Sequence, residues 1–217
     1  MEPWLERFAR VNLARSSDTA HDLKTPLNVA VLNLELLRMR LRKVVDEEDE
    51  KSITYMRSIE CELRRMAQIF DTFFLLSTPP KHGGEVKPCA IAEAVSEAAA
   101  LFSIPCEVEL DAIVSVHEAR IRQGLRLFFE GAAKIFSQPG ARLVRDAGTM
   151  RLEIVGTLQD SEIELSKIFK FYYTDPLGNP DLSLSAARLV AETYGGAVEC
   201  LEEDGRVTLR LSLPLGD

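Results

Sequence analysis

Two heptad runs near the N-terminal end constrain this chain more than any other feature. From Ala20, apolar residues recur at Leu23, Leu27, Ala30, Leu34, Leu37, Leu41 and Val44, in steps that alternate three and four. A second series follows at Met56, Ile59, Leu63, Met66, Phe70 and Phe73. Such spacing makes a narrow seam along a helix, unlike the wider stripe of a helix lying on a globular core. Between the two runs lies the acidic string Asp46 to Glu50, which suits the start of a following helix. After the second run, Pro79 and Pro80 stop it. The expectation is an antiparallel helical hairpin over 1–78. One hairpin alone buries little, so two copies are expected to form a four-helix bundle.

The segment from Thr78 to Pro88 is rich in Pro and Gly and reads as a linker. Beyond it, over 79–217, the pattern changes to short strands alternating with helices. Helices are expected over 90–102, 120–136 and 182–194, the last stopped by Gly195 and Gly196. Strands are expected over 107–110, 113–116, 141–145, 150–155, 198–202 and 207–213, the last two joined by a turn at Asp204-Gly205. This half reads as an α/β sandwich with helices on one face of a sheet, so the fold class as a whole is α+β.

Composition removes several alternatives. The net charge of -8 argues against a general affinity for nucleic acid. No run is long and apolar enough for a membrane span, and the first residues lack a secretion signal, so a cytoplasmic location is expected. Cys61, Cys89, Cys106 and Cys200 are far apart, without the spacing of a zinc site, and read as reduced, partly buried thiols. His82 and His117 have no ligand-spaced partner and read as surface residues. The basic cluster Arg38, Arg40, Arg42 and Lys43 suits a helix end as well as a docking role.

The chemistry is concentrated at His21, in the string HDLKTPLN. His21 lies about 100° around the helix from the seam residue Ala20, which places it beside the seam and facing water. Thr25 follows one turn later on the same stripe. Pro26 removes a backbone hydrogen bond inside the helix, a local rule broken without a packing reason.

His21, Asp22, Lys24, Thr25 and Pro26 together resemble the phosphoacceptor box of two-component sensor histidine kinases, which reads His, acid, any residue, Lys or Arg, Thr or Asn, Pro. In that family the box lies on the first helix of a dimeric four-helix bundle. The resemblance extends to the second half. The helix over 120–136 looks like the family's ATP-site helix, with Glu130 and Lys134 in place. The magnesium-binding Asn after Glu130 is Gly131 here. No aspartate follows Val155 where the adenine-recognising box belongs. The glycines of the lid box are lost in NPDLSLSAARLV, with Leu182 and Ser183 adding bulk where phosphate would approach.

The resemblance therefore implies a degenerate ATP-binding domain, and the chain as a whole resembles the ChpT-type histidine phosphotransferases. The function it implies is a phosphorelay step. His21 is expected to exchange a phosphoryl group with aspartates of response-regulator receiver domains, with a hybrid sensor kinase as a further candidate partner. Asp22 is expected to orient the ring, and Lys24 to position the partner's acidic site. No ATP is expected to bind, and magnesium is expected to come with the partner. Three other readings remain open: a phosphatase in which Thr25 orients water, a scaffold that transfers nothing, and an active kinase with a diverged pocket.

Overall fold

The computed structural model describes residues 27–39, 50–77, 86–146, 148–203 and 206–216. The chain divides into two compact units, Met1–Thr78 with Leu177–Pro180, and Pro79–Pro176 with Asp181–Asp217.

In the first unit, residues 27–39 form α1 and Glu50–Ser77 form α2. The two helices run antiparallel, as their ion pairs show. Arg38 near the end of α1 meets Glu60 at 3.2 Å, and Glu35, earlier in α1, meets Arg64, later in α2, at 2.9 Å. Leu27 and Met56 of the two seams are buried. Leu37, Ile59 and Met66 of the same seams are exposed. One hairpin therefore covers only part of its own apolar surface.

The second unit begins with β1 (Lys87–Ala90) and continues through α3 (Ala92–Leu101), β2 (Cys106–Val108), β3 (Ile113–Val116) and α4 (Glu118–Ile135). The long strands β4 (Phe136–Asp146) and β5 (Thr149–Leu158) follow, then α5 (Ser183–Thr193), β6 (Ala197–Glu203) and β7 (Arg206–Pro214). Five strands form one sheet in the order β2-β4-β5-β7-β6, with β2 parallel to β4 and the other pairs antiparallel. β1 and β3 form a separate antiparallel pair.

The period of two decides which face is covered. Met150, Leu152 and Ile154 of β5, with Leu209, Leu211 and Leu213 of β7, are buried. They pack in the core with Val95 of α3, Leu125, Phe128 and Phe129 of α4, and Ala187 and Val190 of α5. The intervening positions carry charge pairs instead, Arg210 with Glu153 at 2.8 Å and Arg151 with Asp146. A sheet covered by helices on one face and polar on the other is thus the observed architecture of this unit. With the helical hairpin before it, the chain is α+β as expected.

Two expectations need correction. The linker does not run to Pro88, because β1 begins at Lys87. Pro88 cannot donate to a ladder, but β1 pairs on one side only, with β3, where proline is tolerated. β4 also begins at Phe136, not Ala141. Ser137-Gln138-Pro139-Gly140 looks like a turn in sequence. It is a register shift within the β4–β5 pair, with Gln138 at a φ of 51°.

Candidate functional site

His21, Asp22, Lys24, Thr25 and Pro26 lie outside the described residues, as do His82, Arg40, Arg42, Lys43 and the Asp204-Gly205 turn. The described helix α1 begins directly after Pro26. Opposite its far end, Glu60 is flanked by Arg64 at 2.7 Å and Arg38 at 3.2 Å. The hydrogen bond from Arg64 holds the Glu60 carboxyl below its usual range, outweighing the opposing effect of burial. Arg38 is therefore part of the contact between the two helices.

The residues expected to mark the degenerate nucleotide face are described in full. α4 carries Gly124 and Gly131, seven residues apart and so on one side of the helix. α5 packs there. A Cβ placed on Gly131 would lie 2.5 Å from Leu184 Cγ and 2.7 Å from its Cδ2. One on Gly124 would lie 2.7 Å from Val190 Cγ1. Gly131 thus stands where the resemblance expects a magnesium-binding asparagine, and Leu184 fills the space such a side chain needs. An asparagine does not fit the α4–α5 contact as it stands. The bulk lies at Leu184, one residue beyond the expected Leu182 and Ser183. Those two are buried at the start of α5.

In sequence Lys134 reads as a retained residue of the family's ATP-site helix, and Asp181 does not stand out. The structure brings them together. Lys134 Nζ donates to Glu130 at 2.8 Å and lies 3.3 Å from both Asp181 Oδ1 and Ser183 Oγ. Burial alone would lower the Lys134 pKa, but the Glu130 hydrogen bond and the Asp181 charge outweigh it and hold it above its usual value. Asp181 is buried and accepts from Ser183 N at 2.9 Å and Ser183 Oγ at 2.6 Å. Burial, then the charges of Asp181 and Asp175, push the Tyr173 hydroxyl up to about 12. The only sequence signal for this cluster is Asp-Leu-Ser before an apolar run, a helix-start pattern.

At the other expected nucleotide position, after Val155, the polar groups also satisfy one another. Thr157 Oγ1 lies 2.7 Å from Ser137 Oγ, and Gln159 Nε2 donates to the carbonyls of Ala133 and Phe136 at 2.8 Å each. Gln159 thereby closes the end of α4, whose last carbonyls have no intrahelical donor. His117 is not an ordinary surface residue. Its ring meets Tyr194 edge-on with centroids 6.4 Å apart, and its Nδ1 is buried. The four cysteines are free thiols, and burial raises Cys200 to about 11. Among the described residues no three His, Cys, Asp or Glu side chains converge on a point that could hold a metal ion. Among them, too, no helix is long and apolar enough to cross a membrane.

Gly131→Ala tests the packing reading. In the middle of an open helix this change stabilises by about 1 kcal/mol. Against Leu184 it overfills the contact, at a cost of about 1–3 kcal/mol. Net destabilisation is expected, read as a lower denaturant midpoint. A higher midpoint would show that Leu184 yields freely.

Residues 15–80 match the family described as the His Kinase A (phospho-acceptor) domain, a span that includes His21 to Pro26. No curated protein sequence matches the chain. Among solved structures, full-length ShkA in complex with AMPPNP is similar at a TM-score of 0.55 and 19% identity, over 94% of this chain and 46% of that one. The histidine kinase AdeS of Acinetobacter baumannii is similar at 0.56 and 14% identity, over 91% of this chain and 98% of its own. The nucleotide-free catalytic domain of the histidine kinase ThkA reaches 0.50 at 20% identity, over 60% of this chain and 98% of its own. At such identities the likeness is one of fold, and this chain spans under half the length of ShkA. The chain thus carries a match to the phospho-acceptor domain over residues 15–80, and over most of its length it shares the fold of histidine kinases.

Proposed function

We propose that this protein is a histidine phosphotransferase of the ChpT type. It passes a phosphoryl group between His21 and the aspartate of a response-regulator receiver domain, and binds no ATP. The observation that carries the reading is the packing of Leu184 against Gly131. The chain keeps every informative residue of the phosphoacceptor box, while Leu184 fills the space beside Gly131, where the resemblance places a magnesium-binding asparagine.

In the transfer, a neutral imidazole nitrogen of His21 attacks phosphorus in line with the bond to the partner's carboxylate oxygen. The N–P bond forms as that P–O bond breaks, and the carboxylate leaves with its electron pair. Asp22 orients the ring and favours the positive charge that develops on it. Lys24 positions the partner's acidic site. Magnesium is held by the partner. The exposed seam residues fit a homodimer, with two hairpins joined as a four-helix bundle.

The test incubates the protein with a phosphorylated receiver domain and follows label onto His21. Label should appear there without any nucleotide. Thr25→Ala separates this reading from that of a phosphatase. In a relay the hydroxyl is a neighbour, its loss is worth about 1 kcal/mol, and transfer stays within a few fold of wild type. In a phosphatase it positions water, and the same change costs about a hundredfold or more in partner dephosphorylation. A protein that binds the receiver but gains no label and releases no phosphate is a scaffold, and the proposal fails.

Titration with Mg-ATP should give no saturable signal up to millimolar concentration. Micromolar binding, or label from ATP alone, would make the chain a kinase.

A further inference from the structure

Lys134, Glu130, Asp181 and Ser183 form a cluster that the transfer chemistry does not use. α4 and α5 lie antiparallel, as their facing residues show: Gly124 against Val190, Gly131 against Leu184, and Lys134 against Asp181. The first two contacts are apolar and fit by shape. The third is charged and stands at the N-terminus of α5.

Three observations give that charged contact its meaning. Asp181 is buried, and a buried carboxylate without a counter-charge is strongly disfavoured. It accepts from the first helical amide, Ser183 N, and from Ser183 Oγ, so it supplies the anion that a helix N-terminus favours. The one cation brought to it in the described cluster is Lys134, held in turn by Glu130. A phosphate at a helix N-terminus is stabilised by the same two groups, unpaired amides and a nearby cation. Here the chain's own carboxylate takes both.

We propose that the Lys134–Asp181 ion pair is a built-in substitute for a ligand, fastening the start of α5 onto α4. The second unit thereby keeps one α4–α5 arrangement whether or not nucleotide is present. The proposal rests on the reading that this unit takes no ATP. The apolar contacts set the approach of the two helices, and the ion pair fixes the end of α5 that they leave open.

The test is hydrogen exchange of the full chain, read on peptides covering Ser183 to Ala187, for Lys134→Met, Asp181→Asn and the double variant. Methionine keeps the apolar stem of Lys134. Asparagine keeps an acceptor for Ser183 N, so Asp181→Asn removes the charge and spares the cap. Each single change should speed exchange in this turn about tenfold, and the double should be no faster than the faster single. Peptides from β5 and β7 should be unchanged. Unaltered α5 rates, effects that multiply in the double, or equal acceleration in β5 and β7 would each overturn the proposal. Wild type with Mg-ATP tests the underlying reading separately. Slower α5 exchange on adding nucleotide would show that the unit binds ATP, whatever the variant cycle gives.

Discussion

His21→Gln is expected to reduce phosphoryl transfer to background while leaving folding unchanged. The fold is expected to be indifferent to the change. The heptad spacing predicts a seam through Ala20 and Leu23 with His21 beside it, and a side chain expected to face water adds little to stability. The chemistry is less forgiving. Imidazole offers a neutral nitrogen lone pair at pH 7, and its pKa lets it take up and give back a proton in that range. The glutamine amide has similar polarity, but its nitrogen lone pair is delocalised into the carbonyl and does not attack phosphorus. No neighbour in the box replaces it. Asp22 as a nucleophile would form an acyl phosphate, which differs from phosphohistidine in its stability to acid and base. The measurement is acid-labile label on the variant after mixing with a phosphorylated receiver, alongside its thermal melting curve. Label retained at wild-type level would remove His21 from the mechanism.

The parts of this molecule that are legible in sequence are those written in local spacing. The heptads at Leu27 to Leu37 and Met56 to Phe70 point to two helices, and the described α1 and α2 lie there. Alternation in Val207 to Leu213 points to β7 and the face it buries. The box at His21 is legible because five residues within six adjacent positions carry it. What stays hidden depends on residues far apart in the chain. Gly131 reads as a lost magnesium ligand, which is all that the sequence around it says. That it is also a packing site needs Leu184, which reaches it only when α5 lies on α4. Nothing in the sequence links Asp181 to Lys134, and they become a pair by the same contact. Gln138-Pro139-Gly140 is hidden for the opposite reason. Its local signal is a turn, and the pairing of β4 with β5 overrides it.

Ile59→Glu with Met66→Glu should convert a dimer into a monomer without unfolding the hairpin. The two residues lie seven apart on α2, on the seam the heptad defines. In a single chain Ile59 is 52% and Met66 46% exposed, whereas Leu34 and Leu63 of the same seams are half-buried. That difference decides which residues to change. Glutamate at Leu34 or Leu63 would enter the contact between α1 and α2 and damage the fold along with the assembly. At 59 and 66 it meets water in the single chain and apolar surface only in the dimer. A carboxylate placed there loses its hydration without gaining a partner, at a cost of several kcal/mol. Two per chain, repeated by symmetry, should raise the dissociation constant by about a thousandfold or more. The wild type should therefore sediment as a dimer at micromolar concentration and the variant as a monomer, with equal helical circular dichroism. A monomeric wild type would overturn the bundle. A variant that stays dimeric would place the interface on another face of the chain, and one that loses helix would show that these side chains are needed within the hairpin itself.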